Sequence, residues 1–113
     1  MAIYQMGLSK VPFEKVERGE KVIESRLYDE KRQQINVGDS LIFMCDNNSE
    51  RSIKAKVKDL YKYKTFEELF SAFPPELFGG LSKEALIEEI RSFYSVEKEQ
   101  QYGVVGIRIE IEK

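Results

Sequence analysis

No histidine occurs anywhere in the sequence. That excludes Ser-His-Asp and Cys-His constellations, which need an imidazole to move a proton near neutral pH. It also argues against zinc, because a single cysteine and carboxylates make a poor zinc cage. No metal and no cofactor is expected, and any catalysis would fall to Lys, Glu, Asp, Tyr, Ser or Thr. Cys45 is the only cysteine, so no internal disulfide can form. It closes the apolar run Leu41-Ile42-Phe43-Met44-Cys45 with no suitable base nearby, and reads as a buried packing residue. A lone thiol fits a reducing compartment, so a cytoplasmic location is expected. Long hydrophobic runs are missing too. No stretch approaches the ~20 apolar residues that cross a bilayer. Met1 to Gln5 has no charged leader followed by an apolar segment, so neither a signal peptide nor a membrane partner is expected.

A global excess of positive charge is absent as well. The net charge is −2, unlike a strongly basic nucleic-acid-binding chain. The distribution is uneven: residues 1–64 carry 13 Lys and Arg against 10 Asp and Glu, whereas residues 65–113 carry 5 against 10. An anionic partner would have to meet a local patch on the first half.

With 113 residues, 42% hydrophobic and 34% charged, the composition is that of an ordinary globular protein, and residues 1–113 are expected to form a single domain. Such a domain buries roughly 65% of the surface its unfolded chain exposes, enough for a core without metals or disulfides.

Residues 3–8 read as a first strand. Pro12 fits the first turn of a short helix, with Phe13 and Val16 on one face and Gly19 as its stop. Residues 21–27 read as a strand with Ile23 on one face and Val22, Glu24 and Arg26 on the other. Val37-Gly38-Asp39 is a turn into the strand 41–45, and 46–49 is a hairpin loop. Ile53, Ala55 and Val57 alternate with Lys54, Lys56 and Lys58, one face apolar and the other a lysine row. Thr65 and Glu68 form a capping box ahead of Leu69, Phe70 and Phe73, and Pro74-Pro75 ends that helix. Ser82 caps a second helix whose Leu86, Ile87, Ile90, Phe93 and Tyr94 share a face. Residues 95–101 are charged and read as a loop or turn. Val105, Ile107, Ile109 and Ile111 alternate with polar or small residues in a last strand. About five strands and three clustered helices predict an α+β fold with a mostly antiparallel sheet. Closing into a barrel would protect the sheet edges. Ile23, Phe43, Val57, Ile107 and Ile109 are its expected core.

The run from Gly19 to Arg32, with Lys21, Glu24, Arg26 and the Asp29-Glu30-Lys31-Arg32 loop, precedes Val37-Gly38-Asp39 and Ile42-Phe43. In that order these residues resemble the signature of the ASCH domain family. Pro12-Phe13 and the stretch from Tyr102 to Ile107 match it too, so the resemblance covers nearly the whole chain. It implies a PUA-like β-barrel with flanking helices, a cleft lined by the signature residues and an RNA-related role. One ASCH subgroup removes the acyl group from acetylated cytidine. In its pattern the signature lysine is followed three residues on by a nucleophilic threonine, and a downstream acid assists. Lys21 matches the lysine, but Glu24 stands at the threonine position, which argues against that activity. Glu76 is a loose match for the acid.

The candidate ligand-binding residues are therefore Lys21, Glu24, Arg26, Lys31 and Arg32, with Tyr94 and Ser95 secondary. Lys21 and Glu24 would be the catalytic pair of an enzyme. Lys or Arg would hold a phosphate or carbonyl, and Glu24 would accept from a base edge or polarise a water. Taken singly, the same residues read as solvated strand ends and surface ion pairs. The row of Lys54, Lys56 and Lys58 continues through Tyr61-Lys62-Tyr63-Lys64 and interleaves charge with aromatic rings. It reads as the wet face of a strand, or as a track for a single nucleic-acid strand. Three functions stand: binding RNA or a nucleoside-like ligand, hydrolysis of RNA or an acylated nucleoside, and protein interaction. The oligomeric state is left open.

Overall fold

The computed structural model describes residues 2–112, apart from the side chain of Ser49. Five strands form one sheet: β1 (Ile3–Leu8), β2 (Ile23–Leu27), β3 (Ser40–Cys45), β4 (Asn48–Tyr63) and β5 (Val104–Ile111), in the order β1-β3-β4-β5-β2. Helices α1 (Lys10–Glu17), α2 (Phe66–Ala72), α3 (Lys83–Arg91) and α4 (Val96–Tyr102) flank it, with 3₁₀ turns at Arg32–Gln34 and Pro75–Phe78. β1 and β3 run parallel, while the β3–β4, β4–β5 and β5–β2 pairs are antiparallel. The fold is thus the expected α+β, PUA-like architecture, with a correction: the sheet curls into a half-barrel and does not close. Its two edges, β1 and β2, are not paired as strands. A side chain spans the gap instead, where the Arg26 guanidinium donates to the Gly7 carbonyl at 2.9 Å.

Two apolar cores lie on opposite faces of the sheet. Phe43, Val57, Val105, Ile107 and Ile109 fill the barrel side together with Phe13 and Val16 of α1. Ile23, Leu27, Phe66, Leu69 and Val104 pack beneath the helices. Each such side chain contributes about 1.5–3 kcal/mol on full burial. All five expected core residues are buried, but Ile23 belongs to the helix-side core. The reason is register. Glu24 pairs with Ile107 and Arg26 with Val105, and directly opposed residues share a face. The signature carboxylate and guanidinium therefore point towards the barrel side, at the strand that borders the gap.

Local signals set most boundaries. Thr65 Oγ1 accepts from the Glu68 amide at 3.1 Å, and Ser82 Oγ from the Ala85 amide at 3.1 Å. Glu68 answers by accepting from the Thr65 hydroxyl and so completes only half of a capping box. α1 ends in a Schellman turn. The Glu20 amide donates to Lys15 O and the Gly19 amide to Val16 O, with Gly19 at φ 77°.

Two expectations need correction here. Residues 95–101 are not a loop, because Ser95 Oγ accepts from the Lys98 amide at 3.2 Å and starts α4. α4 buries Glu99, whose carboxylate accepts from the Phe66 amide at 2.7 Å and from Arg91 at 2.9 Å. The lysine row also fails to continue along one face. A bulge between Val57 and Asp59 shifts the β4–β5 register. Past it, Tyr61 turns to the helix side and packs on Phe73 with ring centroids 4.5 Å apart. Lys62 pairs with Val105 and lies over the Tyr28 ring.

Candidate functional site

The site lies where β2 faces β1 across the open gap. The Schellman turn after α1 brings the chain round so that the Lys21 amide also donates to Lys15 O at 3.1 Å. The main chain of Val22 then bridges two elements, taking Leu77 O at 2.9 Å and giving its own carbonyl to the Ile109 amide. Lys21 is thereby pinned under the turn that follows Pro75–Phe78. A Cβ built on Gly79 would sit 3.2 Å from Lys21 Cβ, and Gly79 is at φ 82°. A bare glycine is what lets the lysine stem pass.

Glu24 is the centre of the charge pattern. It is 3% exposed, and each oxygen has a cation: Lys21 Nζ at 2.7 Å on Oε1 and Arg26 Nε at 2.5 Å on Oε2. Burial by itself pushes the Glu24 carboxyl up, but the two adjacent charges and their hydrogen bonds outweigh it and hold the group below its ordinary value. Burial likewise disfavours the Arg26 charge. Glu24 and the nearby Tyr94 phenol more than compensate, so the guanidinium is held above its ordinary value. Glu24 and Arg26 are therefore both ionised at neutral pH, and the formal charges of the triad sum to a single positive.

Above it opens a cleft of about 120 Å³. β1 supplies Gly7 and Leu8, β2 supplies Glu24, Ser25 and Arg26, and Phe70 and Phe78 form an apolar wall. Glu89 and Ile90 of α3 close the far side, with Phe93 and Tyr94 from just past its end. Tyr94 is half-buried and stacks on Phe66, ring centroids 5.9 Å apart. Phe93 is 66% exposed at the cleft. A second hollow of about 260 Å³ adjoins it on the far side of Lys21 and shares Phe93 and Glu89.

The structure brings Lys21, Glu24, Arg26 and Tyr94 together in this cleft. It places Lys31 and Arg32 outside it, in a separate depression beside Tyr4, Gln5 and Gln34, where Asp29 holds Arg32 at 3.1 Å. The Ser95 hydroxyl is used as the α4 cap. Glu76 is exposed on the Pro75–Phe78 turn and does not line the cleft.

Three lining residues were not legible as site residues. Asp46, in the β3–β4 turn, and Glu89, on α3, bring carboxylates from elements remote in sequence. Phe93 was expected on the apolar face of its helix. α3 ends at Arg91, so Phe93 lies past the last turn and swings to the cleft. No local signal marks any of them. Among the described residues, no group of three His, Cys, Asp or Glu side chains is placed to hold a metal ion, and no helix is long and apolar enough to cross a membrane.

The sequence model of the ASCH domain matches residues 6–113. The chain belongs to the ASCH domain family. Its fold resembles a hypothetical protein solved by crystallography, with a TM-score of 0.86 and 38% identity, covering 99% of this chain and 100% of the other. A Pyrococcus furiosus protein solved by NMR gives a TM-score of 0.75 and 36% identity, covering 100% and 99%. The ASCH domain from Lactobacillus crispatus shares the fold at a TM-score of 0.67 and 15% identity, covering 97% and 79%. A Zymomonas mobilis ASCH protein, in a serine-to-alanine variant, does so at 0.68 and 11%, covering 94% and 66%. No curated protein matches the chain.

Proposed function

We propose that this ASCH domain binds RNA and admits one unpaired base, or a nucleoside-like ligand, to the cleft between β1 and β2. Family membership supports RNA binding in general. The observation that carries the finer reading is the clamped carboxylate. Glu24 is ionised on the cleft floor between two fixed donors, beneath an exposed aromatic ring. An ionised carboxylate accepts from the amino or imino edge of a base, and Lys21 and Arg26 donate to its carbonyl. Phe93 offers a face on which a base stacks, an interaction worth about 1–3 kcal/mol.

Hydrolysis is the weaker reading. A carboxylate held below its ordinary value, with both oxygens engaged, is a poor general base. Ser25 reaches the cleft, but the chain holds no imidazole to activate it.

The test is a titration of fluorescent single-stranded RNA at several salt concentrations. Binding is expected at low salt, with log affinity falling by about 0.7 per phosphate contact for each unit of log salt. Phe93→Ala should weaken it about tenfold, as loss of one stacked base predicts. Absence of binding at low salt would defeat the proposal and favour a protein-interaction domain.

A further inference from the structure

Asp46 and Glu89 line the cleft without an ion-pair or side-chain hydrogen-bond partner among the described residues. With Glu24 they outnumber Lys21 and Arg26 three to two, so the lining as a whole is net negative. A phosphate entering it would meet two free carboxylates. A base meets them as acceptors. The phosphate that accompanies the base must therefore lie elsewhere, and the half-barrel provides a place.

β1 is an edge strand. The Ser40 and Asp46 amides take the carbonyls of Ala2 and Leu8. Even-numbered residues of this strand thus face β3, and Ile3, Gln5 and Gly7 turn their amides and carbonyls to the open edge. Arg26 uses the Gly7 carbonyl. The Gln5 amide, two residues back, meets no acceptor among the described residues. Beside it lies the depression of about 180 Å³ lined by Tyr4–Met6, Lys31, Arg32 and Gln34. No carboxylate lines it. Lys31 is exposed and has no ion-pair partner among the described residues, whereas Arg32 is steadied by Asp29.

We propose that this open edge of β1 is a phosphate-binding groove, separate from the base cleft and two residues along the strand from it. The Gln5 amide and the Lys31 ammonium take the backbone phosphate next to the base that enters above Glu24. Gly7 lines the cleft and Gln5 lines the groove, and two strand residues span about 7 Å, roughly one extended nucleotide. The strand register thereby sets the distance between the two points of contact, and RNA is preferred to free nucleosides. The inference rests on the RNA-binding reading and adds a second, separable contact to it.

The experiment compares a random-sequence RNA hexanucleotide with a mixture of the four ribonucleosides, using the unmodified protein, Lys31→Ala and Phe93→Ala. Lys31→Ala should weaken hexanucleotide binding and make the slope of log affinity against log salt shallower by about 0.7, the share of one phosphate contact. In ¹⁵N-labelled protein the Gln5 amide resonance should shift with the hexanucleotide and stay in place with the ribonucleosides. Hexanucleotide binding that falls in Phe93→Ala but keeps its full salt slope in Lys31→Ala would overturn the groove and leave the base cleft standing. No hexanucleotide binding by the unmodified protein would overturn both. A Gln5 shift produced by poly-glutamate and not by RNA would also overturn the groove, because the edge would then be adding a peptide strand.

Discussion

Replacing Lys21 by methionine removes one of the two cations that clamp a buried carboxylate. Read from the sequence alone, Lys21 is a strand-end lysine whose stem packs while its ammonium reaches a cleft, and such a surface change alters stability by within about 0.5 kcal/mol. The structure corrects that expectation. The Lys21 side chain is 11% exposed and its Nζ lies 2.7 Å from a carboxylate that is itself 4% exposed. Breaking a buried pair costs roughly 3–5 kcal/mol when the remaining charge is left alone. Arg26 still holds the other oxygen of Glu24, so the loss is closer to one charge-assisted hydrogen bond, about 1.5–3 kcal/mol. Taking about 2 kcal/mol at about 4 °C per kcal/mol for a chain this size, the melting temperature should drop by about 8 °C.

The pH dependence has a definite sign. Glu24 is held below its ordinary 4.5 in the folded protein, so the stability it contributes is complete above that value and lost as pH falls through the folded one. Without Lys21 the burial penalty weighs more heavily and the Glu24 carboxyl moves up. The deficit of Lys21→Met should therefore be full at pH 7 and shrink as pH falls through the acid range in which the folded Glu24 carboxyl takes up its proton. Calorimetry across that range is the assay. A melting temperature unchanged at pH 7, or a drop independent of pH, would refute the reasoning. The double variant Lys21→Met, Glu24→Gln should lose less than the sum of the single losses, because both act on one pair.

Gly106→Ala places a methyl 2.9 Å from Leu69 Cδ1 and 3.1 Å from Ile23 Cγ2; overpacking of this kind costs about 1–3 kcal/mol, measurable as an earlier denaturant midpoint. Thr65→Ala removes the cap that accepts from Glu68 and should cost about 1 kcal/mol by the same assay. Asp39 is held below its ordinary 3.8 by the Ala2 amide and then the Asn36 amide. Asp39→Asn should accordingly lower the melting temperature at neutral pH, with the difference fading as pH falls below that value. Purified protein should release little or no acetate from acetylcytidine, because Glu24 stands where the resemblance to the deacylating subgroup places a nucleophilic threonine; robust turnover followed by chromatography would overturn this and point to Ser25 or Ser95.

Alternation at period two in 53–57 and 105–111, the serine and threonine caps and the glycine stop at Gly19 marked the last two strands and three of the helices. They are local signals, each enforced within a few residues by backbone geometry and side-chain hydrogen bonds. The ordered signature carries Lys21, Glu24 and Arg26, which line one cleft, and Lys31 and Arg32, which line another depression. α4 escaped because its sequence is polar, with no apolar stripe between Val96 and Tyr102; Glu99 is buried through Phe66 and Arg91, 33 and 8 residues away. The bulge after Val57 escaped because nothing in a lysine-rich strand announces a register shift, and it sends Tyr61 and Lys62 to faces that alternation alone would exchange. Most of all, periodicity states which face of an element is apolar and not what will cover it. Whether the sheet closes, which carboxylates stand opposite Glu24, and whether Lys21 is wet or nearly dry depend on where chain-distant groups arrive. Gly7, Asp46, Gly79 and Glu89 reach the site from four separate segments, and the charge balance that results belongs to the packed structure alone.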